Sequence, residues 1–241
     1  EIGSYVHRRP LPDGWWQYGE KRPAMRRAIS ELPEVLVIAL VSKTVMPMRV
    51  QSNQVFSHAL GVFATADYGE QAILSSSLHQ IWAITYGSGM RNDPRYTPSD
   101  VFETFPRPIV TERLSQAGQT LDQDRRAIML RRDLGLTDLY NLLNDPGLED
   151  PTDPDIAHLR EVHVELDKAV LEAYGWTDIA PHHGFHSHRR MLRWTVGPSA
   201  RVEILDRLLE ENHNRGQEGG DPGSLGPSSP DPDDQDGTLF S

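Results

Sequence analysis

The chain has 241 residues, a formal net charge of −11, 37% hydrophobic residues and no cysteine. Without cysteine there is no disulfide scaffold, no thiolate zinc site and no cysteine nucleophile. No apolar run approaches the roughly 18–20 residues of a membrane-spanning helix. The opening EIGSYVHRRP also lacks the apolar centre of a signal peptide, so the expected location is cytoplasmic, away from a membrane.

At roughly 150 residues per domain, the length allows one to two domains. Glu1 stands where an initiator methionine would, which fits a piece of a longer protein. A net charge of −11 argues against nucleic acid only if it is evenly spread, and it is not. Residues 1–110 carry 11 Lys+Arg against 10 Asp+Glu, residues 111–215 carry 13 against 19, and residues 216–241 carry none against 6. In that last stretch, 14 of 26 residues are Gly, Pro or Ser. It cannot bury enough apolar surface to offset its ordering entropy, so it reads as a disordered, solvated acidic tail.

In chain order, residues 20–32 predict a short helix with Met25, Ile29 and Leu32 on one side, ended by Pro33. Val35 to Val41 is an apolar, β-branched run too short for a helix of its own, hence a buried strand. Met46 to Val50 and Val55 to Ala64 predict further strands around the turn 51–54. Glu70 to Tyr86 has Ile73, Leu74, Ser77, Leu78, Ile81 and Trp82 at helical spacing, with Gly87-Ser88-Gly89 as its cap. A Pro/Asp/Asn-rich loop runs from there to Pro108.

The second half is helical in pattern. Leu114, Ala117, Leu121 and Ile128 form a stripe broken at Asp124, and Asp133 to Leu143 is a short helix. After the linker Pro146 to Pro154, Asp155 is the expected cap of a long helix whose stripe is Ile156, Leu159, Val162, Leu166, Ala169, Val170 and Ala173. Trp176 to Arg190 reads as a loop. Ser199 is the expected cap of a last helix with Val202, Leu205, Leu208 and Leu209 inward. The fold class is therefore an α+β domain over 1–110, an all-α helical region over 111–215 and the acidic tail over 216–241.

Several motifs bear on chemistry. Asp93-Pro94-Arg95-Tyr96 is similar to the Asp-Pro-Pro-Tyr loop of amino-group methyltransferases, but Arg95 replaces a proline and no apolar strand precedes it. Gly87-Ser88-Gly89 closes a helix, whereas a cofactor loop opens one. His182, His183, His186 and His188 lie within seven residues, a spacing that zinc ligands use, yet Arg189, Arg190 and Arg193 beside them repel a cation. A surface loop is the plainer reading, and a His-rich metal enzyme the sharper one. Single His58 and His79 suit structural roles.

The basic residues of 1–110 are Arg8, Arg9, Lys21, Arg22, Arg26, Arg27, Lys43, Arg49, Arg91, Arg95 and Arg107, with Trp15, Trp16, Tyr18 and Tyr96 among them. Such side chains suit phosphate contact, and Arg can pair bidentately with guanine. Ordinary surface charge and core aromatics are the alternative.

The run Arg95-Tyr96-Thr97-Pro98-Ser99-Asp100-Val101-Phe102-Glu103-Thr104-Phe105-Pro106 resembles a segment near the end of the recognition domain in large adenine-specific DNA methyltransferases. These are the enzymes of type IIG restriction–modification and BREX-type phage defence. Val37-Ile38-Ala39, Val41-Ser42-Lys43, residues 75–83, residues 136–141, Leu159 to His163, Leu166 to Val170 and Ala173-Tyr174-Gly175-Trp176 fit the same pattern, over about residues 15–212.

The family's cofactor glycine loop and Asn-Pro-Pro-Tyr/Phe tetrapeptide do not occur here, so the resemblance implies no catalytic residue and no cofactor or metal ligand in this chain. It implies double-stranded DNA as partner. It also implies an upstream methyltransferase domain of the same protein that uses S-adenosylmethionine. The candidate DNA contacts are Lys43, Arg49, Arg91, Arg95, Tyr96 and Ser99. Lys43, Arg91 and Arg95 come first because they lie on or beside loops, while Tyr96 and Ser99 equally suit structural roles. Phe102 and Phe105 are expected in the core. The other reading is a non-enzymatic module that docks a partner subunit through the stripe Leu159, Val162, Leu166 and Val170.

Overall fold

A computed structural model of the chain describes residues 22–90, 93–148, 153–188 and 191–218. The first element, α1 (Pro23–Ile29), begins on a proline, whose missing N–H would have no helical partner at that position anyway. β1 (Glu34–Ala39) is the centre of an antiparallel sheet between β2 (Met48–Gln51) and β3 (Leu60–Phe63). Val37 pairs with Met48 on one side and Val62 on the other.

Successive side chains alternate between the two faces. Val35 and Val37 meet Ile29 and Met25 of α1, together with Val50 and Phe56, in a small core. Leu36, Ile38 and Phe63 enter the main core. β1 is covered on both faces, which is why its sequence is an unbroken apolar run. The two flanking strands are shorter than their apolar sequences predict. Residues 52–59 form no strand, although Phe56 packs under the sheet.

The predicted helix over 70–86 is two helices, α2 (Tyr68–Ser75) and α3 (Ser77–Tyr86). Ser76 separates them. Its backbone is extended, its hydroxyl donates to the Ile73 carbonyl at 2.7 Å and accepts from His79 N–H at 3.2 Å. Serine competes for backbone partners in this way, so it ends one helix and caps the next. The loop expected beyond Gly89 contains a small pair, β4 (Gly89–Met90) with β5 (Asp93–Pro94), and the single turn α4 (Pro98–Val101).

α5 (Glu112–Arg132) runs unbroken past Asp124 and ends at Asp133, whose φ is 52°. It lies close against α2 because Gly118 has no side chain. A Cβ there would overlap the Tyr68 carbonyl oxygen and come within 3.2 Å of the Ala72 nitrogen. α6 (Leu136–Leu143) and α7 (Pro154–Ala173) follow. The cap of α7 is Asp153, not Asp155, and its carboxylate accepts from Ile156 N–H. Asp155 instead pairs with Arg131 at 2.5 Å.

Two expectations for this half change. The stripe Leu159, Val162, Leu166 and Val170 is buried inside the chain, where α7 packs on α5 and α2. This removes the exposed surface on which the partner-docking reading rested. The expected loop over 176–190 contains a strand, β6 (Gly184–His188), paired with β7 (Met191–Thr195), so the region is not all helical.

α8 (Pro198–Glu218) starts at Pro198, which puts Ser199 inside its first turn, and it continues three residues into the expected tail. Ala200, Ile204 and Leu208 face inward. Val202 and Leu209, predicted inward, are 59% and 41% exposed. The rest of the tail lies outside the described residues. One buried core runs from Leu36 of the sheet to Leu208 of α8. Among the described residues no helix is long and apolar enough to cross a membrane.

Candidate nucleic-acid interface

Two chain segments meet just beyond the end of β1. Val41 forms a bridge with Arg95, Ser42 N–H donates to the Pro94 carbonyl at 3.4 Å, and Tyr96 N–H donates to the Leu40 carbonyl at 2.8 Å. Arg95 N–H donates in turn to the Ser88 carbonyl. These bonds bring Lys43 and Arg95 to one corner, both exposed. The backbone holds them, and their side chains have no packing role. Arg193 of β7 donates to the Lys43 carbonyl, which joins the β6–β7 hairpin to the same corner. Ser99 lies nearby in α4, exposed, with its hydroxyl on the Asp100 carboxylate.

A second exposed basic surface lies on α1. Arg27 points outward, and Arg26 donates to the Gln54 carbonyl at 2.9 Å, beside exposed Gln51 and Asn53. Ser52 ties this turn down by donating to the Leu32 carbonyl.

Arg49 does not reach either surface. It pairs with Leu36 across the sheet, so strand alternation turns it inward, and it is 3% exposed. Nε donates to Gln71 at 3.1 Å, one terminal nitrogen donates to the Ala66 carbonyl at 2.8 Å, and the guanidinium lies over the Tyr68 ring. Its role is to hold β2 onto α2, which corrects the expectation of a DNA contact.

Tyr96 is also interior, 3% exposed. Its hydroxyl is 3.0 Å from His79 Nε2, while His79 Nδ1 is 2.7 Å from the Leu74 carbonyl. A carbonyl only accepts, so Nδ1 carries the proton and the tyrosine hydroxyl donates to Nε2. Burial pushes His79 down to about 4, helped by the charge of Arg107 and opposed by the Leu74 bond. Tyr96 is pushed up from its ordinary value by the same burial. This tyrosine is locked in the core, so it cannot act as the stacking ring of a catalytic tetrapeptide. Phe105 is buried as expected, and Phe102 is half-buried under Arg107. Arg8, Arg9, Trp15, Trp16, Tyr18, Lys21 and Arg91 lie outside the described residues.

The histidines separate. His183 Nε2 bonds to the buried Asp167 carboxylate at 2.7 Å, and the other oxygen of Asp167 accepts from Ser77 N–H at 2.7 Å. His186 faces the His182 carbonyl across the start of the hairpin. Among the described residues no three His, Asp or Glu side chains converge as a metal ion would require. His183 is therefore structural, a strut between the hairpin and α7.

A buried polar chain escaped the sequence reading. Arg49 bonds Gln71, Gln71 donates to Asp122 at 3.0 Å, and Asp122 is 4.0 Å from Arg125, itself 1% exposed. Tyr140 and His163 bond at 2.9 Å, and burial pushes His163 down to about 4. The available signal was a set of polar residues at inward positions of otherwise apolar helix faces.

Comparison with known families bears on the segment that holds this corner. Residues 23–109 match the MmeI target recognition domain family. The matched segment runs from α1 through the sheet to the stretch before α5, and it contains Lys43, Arg95, Tyr96 and Ser99. It is therefore similar to the target-recognition part of a restriction–modification enzyme. The chain is also similar to a solved structure of the type IIL restriction–modification enzyme MmeI in complex with DNA. Identity is 22%, the TM-score is 0.49, and the match covers 77% of this chain and 22% of that one. The chain thus spans about a fifth of the length of that enzyme. Comparison with curated proteins gives no match.

Proposed function

We propose that this chain recognises a specific DNA sequence as the target-recognition part of a restriction–modification or phage-defence enzyme that methylates adenine at N6. The observation that carries the reading is the match of residues 23–109 to a target recognition domain family. The exposed pair Lys43 and Arg95 supports it, because two cations on a backbone-held corner suit phosphate and base-edge contact. An arginine in the major groove can pair with guanine through both of its forked donors. Ser99 flanks that corner, and Arg91 joins the candidates on sequence alone. The target adenine would then leave the stack for a catalytic pocket in the upstream methyltransferase domain of the same protein.

S-adenosylmethionine is the methyl donor this reaction requires, and the described residues do not fit it. Gly87 terminates α3 instead of opening a helix onto a cofactor, and the tyrosine of the Asp93–Tyr96 tetrapeptide is buried on His79. We therefore assign the cofactor to the upstream domain and derive no step through it here.

The test is selection of duplexes from a randomised pool by the 241-residue chain, followed by affinity measurement at several salt concentrations. The expected result is an enriched sequence, with binding that falls steeply as salt rises. Arg95→Ala is expected to weaken binding of the enriched duplex about tenfold and to leave stability within about 0.5 kcal/mol, since its side chain is exposed. Failure to enrich any sequence would refute the proposal.

A further inference from the structure

The apolar run that begins in β1 continues past its cover. Val35 and Val37 lie under α1, while Leu36, Ile38 and Leu40 between and beyond them face the main core. The next two alternate positions, Ala39 and Val41, are both exposed, Val41 at 55%. Leu60, across from Ala39, packs in neither core. Single exposed apolar residues are ordinary on a protein surface. This valine differs in what stands beside it.

Val41 is bridged to Arg95. Directly opposed residues of an antiparallel pair carry their side chains on one face, with Cβ atoms about 5 Å apart. The backbone there is anchored by the Tyr96 N–H bond to the Leu40 carbonyl at 2.8 Å and the Leu40 N–H bond to the Ala59 carbonyl at 2.9 Å. The Arg95 guanidinium has no hydrogen bond or ion pair among the described residues, and neither has the Lys43 ammonium. An uncovered isopropyl group therefore sits beside an uncommitted guanidinium on fixed backbone, inside the matched segment 23–109.

We infer that Val41 is a specificity-determining residue that packs on the C5-methyl group of a thymine, in the base pair next to a guanine held by Arg95. The inference rests on the DNA-recognition reading above and names part of what that site reads. DNA is the occupant because Lys43 and Arg95, both exposed, give this corner the charge that a duplex attracts. The major groove admits a two-stranded ribbon such as the Val41–Arg95 pair, and there thymine alone of the four bases presents a methyl group. An isopropyl group makes no hydrogen bond to a phosphate or a base edge, so this methyl is the contact on the groove floor that suits it. Neighbouring bases of a strand are stacked about 3.4 Å apart, a step that the spacing of the two side chains spans.

The experiment uses the 241-residue chain and the duplex it selects from a randomised pool. Each thymine of the selected site is replaced in turn by deoxyuridine, which removes only the methyl group. Thermal unfolding verifies that Val41→Ala and Arg95→Ala fold. The expected result is one thymine, beside a guanine, whose replacement weakens wild-type binding about fourfold, the scale of one buried methyl group. Val41→Ala is expected to bind the unmodified duplex about fourfold more weakly and to be indifferent to that replacement. Changing the neighbouring guanine to 7-deazaguanine, which removes the N7 acceptor, is expected to weaken wild type and not Arg95→Ala. A selected site without a thymine beside a guanine, or a wild-type chain indifferent to every deoxyuridine, would overturn the Val41 inference and leave the recognition reading standing. So would a Val41→Ala chain that keeps the wild-type response to the missing methyl, or an Arg95→Ala chain that keeps the response to 7-deazaguanine. A wild-type chain that selects no sequence would overturn both.

Discussion

Lowering the pH from 7 to 4.5 should destabilise this fold through two fully buried imidazoles. His79 is pushed down to about 4 by burial, with the Leu74 carbonyl opposing and Arg107 assisting. His163 is also pushed down to about 4 by burial, with Asp167 opposing and Arg125 and His183 assisting. In the unfolded chain both return to the ordinary value of 6.5. Between those values the unfolded state binds the extra protons, so stability is complete above about pH 6.5 and is lost as pH falls towards 4. At about 1.4 kcal/mol per pH unit, each site gives up about 2.5 kcal/mol by pH 4.5. Two such sites remove about 5 kcal/mol, comparable with the whole stability of many domains. Urea unfolding at half-unit pH steps measures the slope, and His79→Gln and His163→Gln isolate each contribution. Carboxylates titrate alike in variant and wild type, so subtraction leaves the imidazole. A variant with the same slope as wild type between pH 6.5 and 4.5 would refute the assignment to that histidine.

Two further predictions concern packing. Gly118→Ala should destabilise by about 3 kcal/mol, because the new methyl meets the Tyr68 backbone and α2 and α5 must separate; the urea midpoint reads this. Arg49→Ala should cost about 3–5 kcal/mol, since it leaves Gln71 and Glu34 without their buried partner. Arg95→Ala serves as its exposed counterpart, with a shift in melting temperature of a degree or two at most.

The parts of the fold that were legible in the sequence are those where local pattern and burial agree. Val35 to Ile38 is apolar throughout because both sheet faces are covered, and α7 shows its buried face as a regular stripe. The break at Ser76 was hidden because apolar spacing continues across it, and only the serine's hydrogen bonds stop the helix. The β6–β7 hairpin was hidden because His, Ser and Arg occupy strand positions there, with a single aromatic pair as its packing signal. Among the candidate site residues, loop placement correctly gave the exposure of Lys43 and Arg95. Arg49 was misread because a basic type does not reveal which side of a strand it faces, and for Tyr96 the structural alternative is the one the burial supports. Register decided Arg49, and a partner 17 residues away decided Tyr96.

The continuous core also limits how this protein could be recombined. Residues 23–109 match a family by themselves, yet their α2 packs on α5 and α7 and their α3 on α7 and α8. A graft cut at residue 109 would uncover Ala72 of α2, against which Gly118 packs, and separate Gln71 from Asp122. The smallest unit that keeps this core whole is therefore the sheet together with its helical bed, from α1 through Leu208. Within that unit Lys43 and Arg95 are exposed, so replacements there leave the core untouched.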